Sequence, residues 1–526
     1  MKAILFLAAL AAAAPALAEP PQGFENRVES LRRQIGIPGM AIAIVEDGKV
    51  TLAKGFGTRE MGGRAAVDSS TMFYIGSTTK AFTSAALAQL VDQGRIGWND
   101  KVVDHLPGFQ MYDPWVTREM NLRDLLVHRS GLGLGAGDLL FVPTSSRSRA
   151  ESVERLRYIK PATSFRSGYA YDNILYMVAG QLIEAVSGKT WEDYVDQELL
   201  GPAGMANSTA RSARRNAAVN RALPHVRVGG PVRGMGPLSP YDEKKAPLGE
   251  NSAPAGSSMV VSAQDMARWL QIQLGEGKLP DREGRLFSAA QSREMWSPVV
   301  ILPNRQLPPP LEGENANFQT YALGWNVSDY KGTKVVSHGG AVFGSQAIVM
   351  MIPEKKIGFA MMINSEDGEI IKGLTNELLD HYLQKPSQDW TADYSAFKKK
   401  RLAQAAAAIA AMTQAKAAAV GPSLPLARYA GSYADPWYGP IRISQAGNGL
   451  RIDFEKSPGM TGRLEHWQYD TFRTRWDNPA FENAAVTFAL DAQGKIAQIT
   501  MKAVSPTADF SWDYQDLLFT PVAAAK

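Results

Sequence analysis

Ser77-Thr78-Thr79-Lys80 sets a hydroxyl and an amine three residues apart. At the start of a helix, residues i and i+3 share a face, so the Lys80 amine can reach the Ser77 hydroxyl. A serine hydroxyl is a weak nucleophile until a neighbouring base takes its proton. A lysine is such a base only when burial or adjacent positive charge lowers its pKa. The chemistry this pair could support is attack on a carbonyl through a covalent acyl intermediate. Spacing alone does not select it, because Ser328-Asp329-Tyr330-Lys331 and Ser395-Ala396-Phe397-Lys398 repeat it. Context does. Only Ser77 lies between an apolar, strand-like run (Met72-Phe73-Tyr74-Ile75-Gly76) and a small-residue helix carrying Ala81, Ala85, Ala86 and Ala88.

Two further signals stand beside it. Tyr171-Asp172-Asn173 is the one Y-x-N in the chain. It reads either as a helix N-cap before Ile174 or as a tyrosine that shuttles a proton beside an asparagine that holds a substrate amide. His338-Gly339-Gly340 reads either as a hairpin turn or as a strand edge with its backbone open to a substrate. His128 and His105 are read as structural, His128 in a turn outside the site.

The elements that must position these residues follow from pattern. Met40 to Val45 and Val50 to Phe56 form a hairpin about Glu46-Asp47-Gly48. Gly94 ends the helix that begins near Ser77. Ile174 to Val186 and Gln264 to Leu274 read as helices, and Val226 to Ser258 as a long ordered loop. Strands return at Lys334 to Ser337, Ser345 to Ile352 and Ile357 to Ile363, followed by a closing helix over Asp367 to Leu383. Strands at both ends with helices between them predict one sheet that joins the two ends, with a helical lobe inserted. An Ala-rich helix over Ala403 to Ala419 stops at Gly421-Pro422. Short strand-like runs then recur at Ile441 to Ile443, Leu450 to Phe454, Ala485 to Phe488 and Ile499 to Met501 and predict a small antiparallel β domain. The expected units are a signal segment 1–18, a hydrolase domain 19–385, a helical linker 386–425 and a β domain 426–526.

Taken together, the three motifs resemble the S-x-x-K serine hydrolases related to class C β-lactamases, D-alanyl-D-alanine carboxypeptidases and D-aminopeptidases. They occur in that family's order, and Leu125 to Leu132, Pro254 to Arg268 and Leu323-Gly324-Trp325 match its supporting segments. The resemblance covers roughly residues 25 to 385. It implies an α/β, class C β-lactamase-like fold, an antiparallel sheet flanked by helices, followed here by a small barrel-like all-β domain. It implies Ser77 as the acylated nucleophile, and Lys80 and Tyr171 as the shared general base and acid. The backbone amides of Ser77 and Ala341 would form the oxyanion hole, where losing one donor costs ~3–4 kcal/mol. Asn173 would bind the acyl side chain's amide, and the His338-Gly339-Gly340 strand would line the substrate site. No metal or organic cofactor is implied.

Where many β-lactamases have K-T-G, this chain has His338-Gly339-Gly340, which removes a fixed cation and a hydroxyl suited to a substrate carboxylate. That ranks peptide, amide or ester hydrolysis above β-lactam hydrolysis, with a D-aminopeptidase-like activity in view. A carboxylesterase or β-lactamase of the same family and a non-turnover penicillin-binding sensor are the alternatives. Met1-Lys2, the apolar run Ala3 to Ala14 and Ala16-Leu17-Ala18 read as a secretory signal, which predicts a periplasmic protein without a membrane anchor after cleavage. The chain has no cysteine, which excludes disulfide frameworks and thiolate metal sites. A net charge of +4 over 526 residues gives no reason to expect nucleic acid. The expected partner is a small-molecule or peptide substrate, with a homo-oligomer left open.

Overall fold

The computed structural model describes residues 19–304, 306–415 and 420–522, so the expected signal segment lies outside the described residues. Eight antiparallel strands form the main sheet: β1 (Gly39–Glu46), β2 (Lys49–Gly57), β3 (Val300–Ile301), β4 (Gln319–Tyr321), β5 (Asn326–Tyr330), β6 (Thr333–Val342), β7 (Ser345–Ile352) and β8 (Ile357–Ile363). Their order is β2-β1-β8-β7-β6-β5-β4-β3. Met40 pairs with Ile363, so the two sequence ends of this unit close on each other as their apolar runs predict. β1 and β8 are buried along their whole length, because helices cover both faces. One face packs against α1 (Phe24–Ile35) and α5 (Glu369–Tyr382). The other carries the inserted lobe, with α2 (Lys80–Asp92), α3 (Ile174–Ser187) and α4 (Ala263–Leu274). α2 is buried almost all round, its small residues admitting neighbours on every side, and Phe82 stacks on Trp269 of α4 at 4.0 Å.

The long loop expected at 226–258 contains a short hairpin, His225–Arg227 with Leu238–Pro240, and ends in a 3-10 turn at Ala253–Ala255. His338-Gly339-Gly340 is not a hairpin turn. It lies within β6, and the reversal comes after Val342. α6 (Trp390–Gln414) starts earlier than its Ala-rich stretch suggests, because Asp389 caps it and Trp390 is buried with its indole N–H on Asp380. No helix among the described residues is long and apolar enough to cross a membrane.

The chain after α6 forms a closed barrel of eight antiparallel strands: β9 (Gly431–Asp435), β10 (Gly439–Ala446), β11 (Gly449–Asp453), β12 (Thr461–Gln468), β13 (Thr471–Trp476), β14 (Ala484–Leu490), β15 (Ile496–Ala503) and β16 (Leu518–Pro521). Period-2 alternation fills it, as with buried Ile441 and Ile443 beside exposed Arg442 and Ser444. The barrel rests on the helical lobe: Arg147 donates to the Tyr438 carbonyl, and the Ser146 amide to Lys456 O at 2.9 Å.

One close approach sets the site. The turn carrying Ser77 lies directly on β6: a Cβ at Gly340 would sit 1.8 Å from Ile75 O, and one at Gly76 2.3 Å from Ala341 N. Gly76 also has φ +53°, a conformation that favours glycine. Gly340→Ala should therefore destabilise the fold by the ~1–3 kcal/mol typical of over-packing, read as a lower thermal unfolding midpoint. An unchanged midpoint would show that β6 and the Ser77 turn are free to separate.

Candidate active site

Residues Gly76–Thr79 form a 3-10 turn that runs into α2 at Lys80. Residues i and i+3 eclipse in such a turn, which brings Lys80 Nζ to 3.1 Å from Ser77 Oγ. The amine is fully buried and donates to Asn173 Oδ1 at 2.6 Å and to the Ala255 carbonyl at 2.7 Å. It also stands 4.8 Å from the ring centre of Tyr171 and 5.1 Å from that of Tyr176. No carboxylate among the described residues pairs with it. Burial pushes its pKa down to about 7, against a partial pull upward from Asp138 and Asp172.

The two other S-x-x-K lysines are different. Lys331 pairs with Asp380, and Lys398 with Asp367 and Glu369. Burial opposes the charge on Lys398, but those two carboxylates raise its pKa overall. Of the three S-x-x-K lysines, Lys80 alone has no carboxylate partner among the described residues.

Tyr171 faces Ser77, and burial holds its phenol far above the usual range, so its proton stays on at neutral pH. Two groups in one site are thus pushed apart: an amine able to accept a proton and a phenol able only to donate one. Asn173 occupies the N-cap position of α3 but makes no side-chain cap. Its oxygen takes the Lys80 bond, and its Nδ2 donates to Asp138 Oδ2 at 2.8 Å. Asp172 accepts from Ser130 Oγ rather than capping α3. The Asn173 oxygen and one of its two N–H groups are thus engaged within the protein, while the residue also lines the cleft.

On β6 the pleat turns His338 inward and leaves Gly339 and Ala341 exposed. His338 Nε2 meets the Tyr321 hydroxyl at 2.8 Å and Nδ1 the Gly339 carbonyl at 2.6 Å. Burial, with Lys80 nearby, drives its pKa down to about 3, so the ring is neutral. His338 was expected to line the substrate site; its ring is buried, with Tyr321 as its partner. A Cβ at Gly339 would have only Ala347 O near it, at 3.9 Å, so space lies open above the strand there. The Gly76–Gly340 approach brings the Ser77 and Ala341 backbones together, where two amides could meet one oxyanion.

His128 needs correction as well. It does not lie apart from the site: its ring centre is 4.2 Å from that of Tyr171 and 4.7 Å from that of Tyr321. Its Nδ1 accepts the Asp172 amide at 3.2 Å, so it braces the tyrosine segment from behind. His105, by contrast, bonds Asp100 at 2.9 Å, as a structural residue should.

Ser77, Asn173 and Ala341 open on a cleft of about 430 Å³. Its far walls come from residues that sequence reasoning did not connect to the site: Phe141 and Pro143 of the lobe, Phe397 and Lys398 of α6, and Glu482, Asp509, Ser511 and Trp512 of the barrel. Their separation along the chain left no motif to find.

With this geometry in view, the likenesses to other proteins are informative. The Beta-lactamase family model matches residues 24–380, and a domain of unknown function (DUF3471) matches residues 415–521. An unguisins hydrolase of Aspergillus violaceofuscus is 27% identical over 446 residues, covering 80% of this chain and 76% of its own. The octameric penicillin-binding protein homologue from Pyrococcus abyssi shares the fold over 95% of this chain and 99% of its own, with a TM-score of 0.56 at 20% identity. D-amino acid amidase from Ochrobactrum anthropi does so over 68% of this chain and 98% of its own, with a TM-score of 0.53 at 21% identity. The chain belongs to the beta-lactamase family, as a serine hydrolase of that fold with a closed eight-stranded barrel appended.

Proposed function

We propose that the protein hydrolyses amide bonds of small peptides through an acyl-enzyme on Ser77, with preference for substrates that carry a free amine. The observation that carries the chemistry is the buried Lys80 amine on the Ser77 hydroxyl. At pH 7 an ordinary lysine, with pKa near 10.4, is free amine in only about one molecule in 2,500. With its pKa at about 7, about half of Lys80 is.

Lys80 takes the Ser77 proton as Oγ attacks the carbonyl. The Ser77 and Ala341 amides receive the oxyanion. Tyr171 gives its proton to the departing amine and recovers it through Lys80. Water then attacks the acyl-enzyme by the same route in reverse.

The substrate class rests on charge. Neutral, inward-turned His338 and open Gly339 leave no cation at positions 338–340 of β6 for a substrate carboxylate. On the barrel side, Glu482 is only 7% exposed and lines the cleft, and its carboxylate has no hydrogen-bond or ion-pair partner among the described residues. Burial raises its pKa, with Arg233 pulling it down and Asp509 and Glu366 pushing it up. A substrate ammonium would supply the missing partner. The name of the fungal relative, an unguisins hydrolase, is compatible with hydrolytic chemistry of this kind. The Met1-Lys2 start, apolar run and Ala16-Leu17-Ala18 support export to the periplasm.

Ser77→Ala should abolish labelling by a serine-directed phosphonate, and labelling that persisted at another serine would refute the nucleophile. Lys80→Ala should lower kcat by about 10²–10⁴-fold, the range for a lost general base; wild-type turnover would refute that role. D-alanyl and L-alanyl p-nitroanilide should each be cleaved faster than its N-acetyl derivative, and the D form preferred. Glu482→Gln should erase the advantage of the free amine. Equal cleavage of free and acetylated substrates by the unaltered enzyme would exclude amine recognition and favour the esterase reading.

A further inference from the structure

The barrel reaches into the catalytic site through the connection between β15 and β16. Ser511 Oγ donates to Asp138 Oδ2 at 2.7 Å. Asn173 Nδ2 donates to the same oxygen at 2.8 Å, and Asn173 Oδ1 accepts from Lys80 at 2.6 Å. An unbroken chain of side chains therefore runs from the barrel to the nucleophile: Ser511, Asp138, Asn173, Lys80, Ser77.

The same connection fixes the turn that carries Asp138. Asp513 accepts the Gly137 amide at 2.7 Å and the Leu139 amide at 3.0 Å, one on each side of Asp138. Phe510 meets Tyr171 edge to face at 5.6 Å. Asp138 is fully buried, and its second oxygen, Oδ1, has no partner. A carboxylate kept in such a place needs its two donors, and one of them belongs to the other domain.

We propose that Asp138, held by Ser511 of the barrel, is a positioning residue that acts on Lys80 through Asn173, so that the C-terminal barrel completes the catalytic machinery. This rests on the Ser77–Lys80 reading above. Asp138 orients the Asn173 amide so that its oxygen, and not its NH2, meets Lys80. In its charged form it also favours the protonated amine, and burial raises its own pKa to about 7, so that charge is present only in part at neutral pH. The charged and titratable groups around it are Lys80, Asp509 and Asp513; those around Lys80 are Asp138 and Asp172, with His128 and His338 nearby. Burial lowers the pKa of both histidines, and of the groups around Lys80 it is Asp138 that a barrel side chain touches.

The sign follows. Less negative charge beside Lys80 lowers its pKa, so the free amine persists to lower pH and the acid limb of kcat/KM moves acidward. Asp138→Asn keeps an oxygen acceptor for Ser511 and Asn173 while removing the charge. It should move the limb to lower pH by at most about one unit, since the carboxyl is already partly protonated near pH 7. Ser511→Ala leaves the carboxylate with one donor fewer, so it protonates more readily. It should move the limb the same way by a smaller amount and lower kcat, and Ser511→Thr, which restores a hydroxyl, should return both toward the parent values. A kcat/KM that falls equally at all pH values in Asp138→Asn, with the limb unmoved, would overturn the proposal. A shift in Asp138→Asn with a parental profile in Ser511→Ala would overturn the barrel's part in it. Ser77→Ala, assayed alongside, keeps the two readings apart. Turnover in that variant refutes the Ser77 reading itself, whereas an inactive Ser77→Ala with an unmoved limb in Asp138→Asn refutes only the positioning role.

Discussion

The structure depends on one costly arrangement: a lysine amine sealed from water against a serine hydroxyl. A buried ammonium with no carboxylate beside it is unstable, and the protein responds by favouring the free amine. Much of the lobe serves that end. The 3-10 turn at Gly76–Thr79 eclipses Ser77 and Lys80. Small residues around α2 let the loop at Ala253–Ala255 come close enough for Ala255 O to accept from the amine. The tyrosine rings at 171 and 176 close the remaining sides without adding a negative charge.

The sheet contributes in a different way. β6 is pressed so tightly onto the Ser77 turn that Gly76 and Gly340 have no room for a side chain. That contact joins two backbones distant in sequence and brings those of Ser77 and Ala341 together. The neighbouring histidine is buried on the Tyr321 hydroxyl and neutral. The cleft's other wall includes Glu482, Asp509, Ser511 and Trp512 of the barrel, so the appended domain borders the site.

What could be read from the sequence was what short spacing encodes. Ser77 and Lys80 are three residues apart, and a single helical turn fixes their relation. The hairpin at 40–56, the strands at 345–363 and α3 followed from periodicity, because each buries a face of its own. Asn173 was legible as important, but its direction was not, since its partners Lys80 and Asp138 come from other elements. The strand through His338 was legible as part of the site, but not the partner of its ring, Tyr321, which comes from another strand. The Asp138–Ser511 contact spans 373 positions along the chain, and no local pattern announces it. α6 began earlier than its alanines suggested because a buried tryptophan and an aspartate cap, not propensity, set its start.

The most direct test of this account is the titration of the Lys80 amine itself. Lysine labelled with ¹³C at Cε, with the Lys80 signal assigned by its loss in Lys80→Arg, reports that protonation state by NMR across pH 5 to 11. The account predicts a midpoint near pH 7, from burial of the amine. A midpoint near 10 would mean that Lys80 is an ordinary ammonium at neutral pH, and Ser77 would then have no base beside it.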